Sequence, residues 1–223
     1  DGRPFVFTET ILGSWGARPD RDGLDGAANL AANQSNQPVE MLEADAPVQI
    51  VDYGLAHNSG GPGRFRGGMA VRRTYRILAP RGVFTLRSDR RTHLPYGLDG
   101  GASGTPSYTV LHRRGAVSLL PVLPLDKIDV EAGDLIVHVQ PGGGGHGDPL
   151  KREAEAVLQD VLDDRCDAAY ARAVYGVCIE DARVDAQATA ALRASMGSAQ
   201  GLPSQRHLDF FPVATATKPI HDA

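Results

Sequence analysis

His146 and Asp148 close a run of four glycines in "QPGGGGHGDPL", directly before a helix-like pattern. Three uses of such a loop are possible. A phosphate could sit on free N–H groups at a helix start, where the dipole end is positive. A metal or proton-transfer site could use the imidazole and the carboxylate. A structural loop would use the glycines for positive φ and close backbone approach. A P-loop needs Lys-Ser/Thr after its glycines, and none follows here. Gly142, Gly144 and Gly147 satisfy G-x-G-x-x-G, but a glycine run matches that string trivially. Asp148 would repel an anion, which also weighs against the phosphate.

Other reactive side chains are scattered. No H-E-x-x-H or H-x-H cluster appears among the seven histidines, and no G-x-S-x-G marks a nucleophilic serine. Cys166 and Cys178 match no zinc spacing and are read as packing residues. Arginines concentrate in and after glycine loops, in "GRFRGG" (Arg64, Arg66), "VRRTYR" (Arg72, Arg73, Arg76) and "SDRR" (Arg90, Arg91). They could hold a carboxylate or phosphate, or pair with the 27 acidic residues on the surface. Glu9, Glu40 and Glu43 are carboxylates near loop ends.

The elements that must position these residues are mostly strands. "PFVFTETI" and "VQIVDYGLA" have strand chemistry. "MAVRRTYRIL" and "VFTLRSD" read as a hairpin across "APRG", and "SYTVLHRRGAVSLLP" as a second with its tip near Arg114-Gly115. "EAGD" is a turn before the alternating segment 135–140. After Pro149 the period changes. Leu150, Ala154, Val157, Leu158, Val161 and Leu162 fall on one helical face, with Asp148 as cap and Pro149 in the first position. Asp167 and Asp185 cap two more helices, ended near Gly176 and at Gly197. The expected class is α+β: a β-rich body over residues 1–148, with hairpins and long glycine-rich loops. A small helical appendage follows at 149–197, then a Pro-containing tail at 198–223. This is not βαβ alternation, so a doubly wound sheet is not expected.

Composition adds bounds. With 42% hydrophobic and 22% charged residues, the chain resembles an ordinary globular protein. A net charge of −4 gives no basic footprint for nucleic acid or an anionic membrane. No apolar run approaches bilayer length, and two cysteines fit a reducing, cytoplasmic setting. The start at Asp1, running at once into strand chemistry, leads us to expect a fragment, a processed chain or a split subunit.

Six stretches, in this order, resemble the C-terminal part of the hydantoinase B/oxoprolinase family. They are "FTETILGSWGARPDRDGLDG", "NQSNQPVEMLE", "SGGPGRFRGGMAVRRTYRIL", "SDRRTHLPYGLDGG", "QPGGGGHGDPL" and "YGVCIEDARVDAQAT". The resemblance implies a B-type subunit of an ATP-dependent cyclic amide hydrolase, opening 5-oxoproline, hydantoins or lactams. Its partners would be an A-type ATP-binding subunit, the N-terminal half of the B-type subunit and a small cyclic amide. A related ketone carboxylase and a non-catalytic assembly module are the alternatives. No cofactor is expected within this chain: ATP belongs to the A-type partner, and a divalent metal to the N-terminal half. No metal ligand is assigned here, and the chain alone is expected to be inactive. Glu9, Asn33, Arg66 and Arg90 are the candidate catalytic residues that the motifs contain.

Overall fold

The computed structural model describes residues 4–28, 31–124, 126–197 and 206–211. Helix α1 (Val39–Asp45) precedes β1 (Val48–Leu55), β2 (Val71–Ile77), β3 (Gly82–Phe84), β4 (Tyr108–Arg113), β5 (Ala116–Leu119), β6 (Ile128–Val130) and β7 (Leu135–Val139). Then come α2 (Ala154–Leu162), α3 (Ala168–Tyr175), β8 (Ile179–Glu180), β9 (Arg183–Val184) and α4 (Ala186–Met196). The mixed α+β class is as expected, and among the described residues three of the four α-helices lie towards the C-terminus.

Five strands form one antiparallel sheet in the order β1-β2-β7-β4-β5. Ile50, Tyr75, Ile136 and Leu111 lie side by side in one cross-strand row. With Leu42, Val48, Ile77, Leu120 and Val130 they make the main core, against which Phe7 and Ile11 pack. The other face buries Val110, Val137 and Val139 with Phe211. A third cluster, around Val157, Tyr170, Tyr175 and Val177, packs α2 against α3.

Three expectations are corrected. Residues 5–11 join no ladder, although their strand chemistry is plain. They lie over the sheet instead, anchored through side chains: Leu12 N–H donates to Asn36 Oδ1, and Gln140 Nε2 to the Ile11 carbonyl. Strand β3 does not pair with β2 but with β6, in a separate sheet. A strand has two hydrogen-bonding edges, and β1 and β7 occupy both edges of β2. The third correction concerns the helix start. Asp148 does cap, but it caps a short 3-10 turn (Pro149–Lys151) through Leu150 N–H at 2.9 Å, and α2 begins at Ala154. The interruption is Arg152, held extended at φ −65° and ψ 133° so that its side chain turns inward. The hairpin at Arg114-Gly115 is present, with φ of 47° and 81°, as a tight turn demands. Most of the tail, 198–205 and 212–223, lies outside the described residues.

The helix caps provide a direct test. Asp167 accepts from Tyr170 N–H at 2.7 Å and from Asn58 Nδ2 at 2.9 Å, whereas among the described residues the Asp185 side chain accepts from Ala188 N–H alone. Asp185→Ala is expected to cost about 1 kcal/mol, and Asp167→Ala about 1 kcal/mol more for the added side-chain bond. Urea unfolding midpoints check this; equal losses would show that the Asn58 bond contributes nothing.

Candidate functional site

The glycine loops are a bundle of backbones. Residues 13–17, 59–68, 95–105 and 142–147 run together, joined by main-chain hydrogen bonds. The amides of Gly142, Gly143, Gly145, His146 and Gly147 donate to the carbonyls of Thr105, Gly68, Ala102, Phe65 and Leu98. Those donors are therefore closed to a phosphate. Added Cβ atoms would meet Ser59 O at 1.8 Å from Gly142, Trp15 O at 2.2 Å from Gly143, Tyr96 O at 1.9 Å from Gly144 and Pro62 O at 2.2 Å from Gly145. Only Gly147 of this run has a left-handed φ, 76°. Close approach, not unusual φ, is what the four consecutive glycines supply. His146 pairs with Phe65 through both of its main-chain groups, and its ring is half-buried.

Beside the bundle lies an alternating cluster of six charges. Arg152, 4% exposed, holds Asp22 through two bonds of 2.7 and 2.8 Å, and reaches Asp160 at 2.8 Å. Arg66 bridges Asp25 at 3.3 Å and Asp160 at 3.4 Å, and Arg165 also pairs with Asp25. Asp22 and Asp25 additionally accept from the amides of Arg66 and Met69, both at 2.7 Å. Burial works to raise the Asp22 carboxyl, but the hydrogen bond and charge of Arg152 outweigh it and hold it below the usual carboxylate value. The cluster thus ties the first glycine loop, the second and α2 together. It does not fit a divalent ion: each carboxylate carries an arginine partner. Among the described residues no three His, Cys, Asp or Glu side chains gather as a metal site.

A second polar cluster lies on the main-core face of the sheet. Cross-strand register places Tyr53, Arg73, His138 and Thr109 in one row. Glu9 accepts from Arg73 Nη1 and from the Tyr75 hydroxyl. Arg73 is wholly buried, donates to the Gln37 carbonyl at 3.2 Å and stacks 4.4 Å from the Tyr53 ring centre. Burial, then the Glu9 hydrogen bond, push the Tyr75 hydroxyl far up, so it stays protonated. His138 Nδ1 lies 2.7 Å from Thr109 Oγ1. Burial, with the charge of Arg91 added, pushes the His138 imidazole down to about 4.

That shift sets an expected pH dependence. An unfolded histidine titrates at about 6.5, so the unfolded chain binds the extra proton first as pH falls. Stability is full above pH 6.5 and falls towards pH 4, by on the order of 3 kcal/mol. Urea midpoints at stepped pH check this, and His138→Gln should flatten the slope. An unchanged slope would place the titration elsewhere.

The four candidate catalytic residues do not converge. Glu9 belongs to the cluster on the sheet and Arg66 to the charge cluster beside the bundle. Asn33 and Arg90 are exposed at left-handed turns, with φ of 45° and 61°. Glu43 is used by the fold, accepting from the Ile50 amide at 2.7 Å. Two residues outside those four stand out instead. Alternation along β2 puts Arg73 on the face shared with Val71, Tyr75 and Ile77. For β7 the set Leu135, Val137 and Val139 is wholly apolar and His138 shares its set with Ile136, so the face of His138 could not be read from its own strand.

The first 149 residues match the family model described as Hydantoinase B/oxoprolinase. A protein of Pseudomonas sp. (strain NS671), provisionally named as the B-type subunit of a D-/L-hydantoinase, is 35% identical over 192 residues. That alignment takes in 85% of this chain and 32% of the relative. The crystal structure of ATP-dependent caprolactamase from Pseudomonas jessenii superposes with a TM-score of 0.72 at 29% identity, covering 82% of this chain and 33% of that one. A nucleotide-free acetone carboxylase shares the fold, with a TM-score of 0.74 at 22% identity, over 90% of this chain and 32% of that one. The chain thus spans about a third of the length of these relatives. Since the family model takes in the glycine bundle, the arginine loops and the whole five-stranded sheet, this chain belongs to the hydantoinase B/oxoprolinase family.

Proposed function

We propose that this chain is the C-terminal part of a B-type subunit in an ATP-dependent cyclic amide hydrolase. The observation that carries the reading is the 35% identity to a B-type hydantoinase subunit across 85% of this chain. The fold and identity shared with an ATP-dependent caprolactamase support it. The likeness to acetone carboxylase, at 22% identity, extends to fold alone, so hydrolysis is preferred over ketone carboxylation.

An unactivated amide is a poor electrophile. Phosphorylation of its oxygen by an A-type ATP-binding partner would turn that oxygen into a leaving group. Any divalent metal would be supplied outside this chain: Asp22, Asp25 and Asp160 are engaged by arginines, and no three His, Cys, Asp or Glu side chains gather as a metal site among the described residues. In this reading Glu9 and Arg66 are positioning residues, since both are enclosed in ion pairs. Asn33 and Arg90 are the exposed pair that could meet substrate or partner.

The test is co-purification with an A-type subunit and the remainder of the B-type subunit, followed by assay on 5-oxoproline, a hydantoin and caprolactam. ATP-dependent opening of at least one is expected. No opening of any of the three would refute the hydrolase reading, and carboxylation of a ketone would select the other branch. If Asn33→Ala and Arg90→Ala block assembly while preformed complexes keep full turnover, these residues serve docking rather than chemistry.

A further inference from the structure

Strand β1 is one edge of the five-stranded sheet, and β2 lies on its inner side. Gln140 N–H donates to the Val71 carbonyl and Ile77 N–H to the Asp134 carbonyl. The odd-numbered residues of β2 therefore turn their main-chain groups towards β7. The even-numbered ones serve β1, where their partners are Gln49, Asp52 and Gly54. Ile50, Tyr53 and Leu55 must then direct N–H and C=O outward. The Ile50 amide bears this out, because it donates to the Glu43 carboxylate of α1 rather than to β2. Glu43 thus occupies the first half of the edge. Beyond the bulge between Ile50 and Asp52, the outward groups of Tyr53 and Leu55 have no main-chain or side-chain partner among the described residues.

The side chains along this open half are apolar and exposed: Val51 by 39%, Tyr53 by 43% and Leu55 by 38%. Edge strands are commonly guarded against pairing by lysine, proline or an unpaired charge. Strand β1 has no lysine or proline, and its single charge, Asp52, is neutralised by Arg72 on β2. The other edge, β5, is four residues long against eight and exposes one large apolar side chain, Leu119. Water can satisfy the open main-chain groups of β1, but it does not cover the apolar stripe. An added strand does both. In the B-type hydantoinase relative, about two thirds of the subunit lies outside the part matched by this chain.

We propose that an extended segment with alternating apolar side chains, from that remaining part of the B-type subunit, adds as a sixth strand along the outer edge of β1 and bonds Tyr53 and Leu55. The inference rests on the reading of this chain as part of a B-type subunit.

The full chain is mixed with the remainder of the B-type subunit. Amide exchange at Tyr53 and Leu55 is followed by NMR, and binding by calorimetry. Both amides are expected to exchange at least about tenfold more slowly in the assembly than in the chain alone. Leu55→Pro removes an outward donor and no bond to β2, so it should keep the wild-type urea midpoint yet bind at least about tenfold more weakly. Leu55→Lys, which places a charge on the stripe, should weaken binding likewise. Leu119→Lys, on β5, should bind as the wild type does. Assembly with unchanged exchange at Tyr53 and Leu55 overturns the proposal and leaves the B-type reading standing, whereas no assembly at all overturns both. Binding lost in Leu119→Lys but kept in Leu55→Lys overturns it by placing the contact at β5. A dimer of the chain alone that Leu55→Lys breaks overturns it in favour of a second copy. If Leu55→Pro does not fold, Leu55→Lys decides.

Discussion

Gly144→Ala is expected to leave the chain unfolded or aggregated. The added methyl group would stand 1.9 Å from the Tyr96 carbonyl oxygen. That oxygen cannot simply swing away. The peptides around it are fixed by Gly104 N–H to Pro95 O at 2.9 Å and Leu98 N–H to Gly145 O at 2.9 Å. Ordinary overpacking of side chains costs about 1–3 kcal/mol because rotamers can adjust. Here backbone must move against backbone, and the loss should exceed about 4 kcal/mol, a large part of a domain's stability. Gly54→Ala is the control: its Cβ would meet nothing within 4 Å. It should change stability by no more than about 0.5 kcal/mol. Soluble yield and urea midpoints separate the two. A Gly144→Ala protein with the wild-type midpoint would disprove the close packing.

Arg152→Met should be the most damaging substitution outside the glycines. The side chain is nearly enclosed and is the two-pronged partner of Asp22. Removing it leaves Asp22 with no arginine partner among the described residues, while Asp160 keeps Arg66; a broken buried pair costs about 3–5 kcal/mol, and the partial exposure of Asp22 puts the loss at the lower end. The cluster has three arginines and three aspartates, so taking one of each restores its balance. Arg152→Met with Asp22→Asn should therefore be more stable than Arg152→Met alone. Denaturant unfolding of the two single variants and the double variant gives the coupling directly. Strict additivity would mean that the charges act independently.

The parts of this fold legible in the sequence obey local rules. Asp148, Asp167 and Asp185 each cap within three residues of themselves, and Gly176 ends α3 in the left-handed conformation. The Arg114-Gly115 tip needs only its own two residues. What stayed hidden depends on distant partners. Nothing near Arg152 announces Asp22, 130 positions away, so the break in the helix there looked like continuous periodicity. Glu9 reads as a loop-end carboxylate until Arg73, 64 positions on, is brought beneath it. The glycine runs were visible, but a run does not say which backbone it must touch. The site divides in the same way. The motifs that carry the family likeness are the frame, while Arg73 and His138 share a row only after the strand order is known.

The bundle has a thermal consequence. A conventional core, when it unfolds, exposes hydrocarbon, and heat capacity rises by about 0.45 cal/K/mol for each Å². At their glycines the bundle segments have no side chains to expose. What they release to water is largely peptide, whose hydration lowers heat capacity by about 0.26 cal/K/mol for each Å². This region therefore subtracts from the calorimetric increment that the apolar clusters add. Its hold does not rest on the water-ordering that weakens in the cold, so a protein built around it carries a flatter stability curve than its length alone would give.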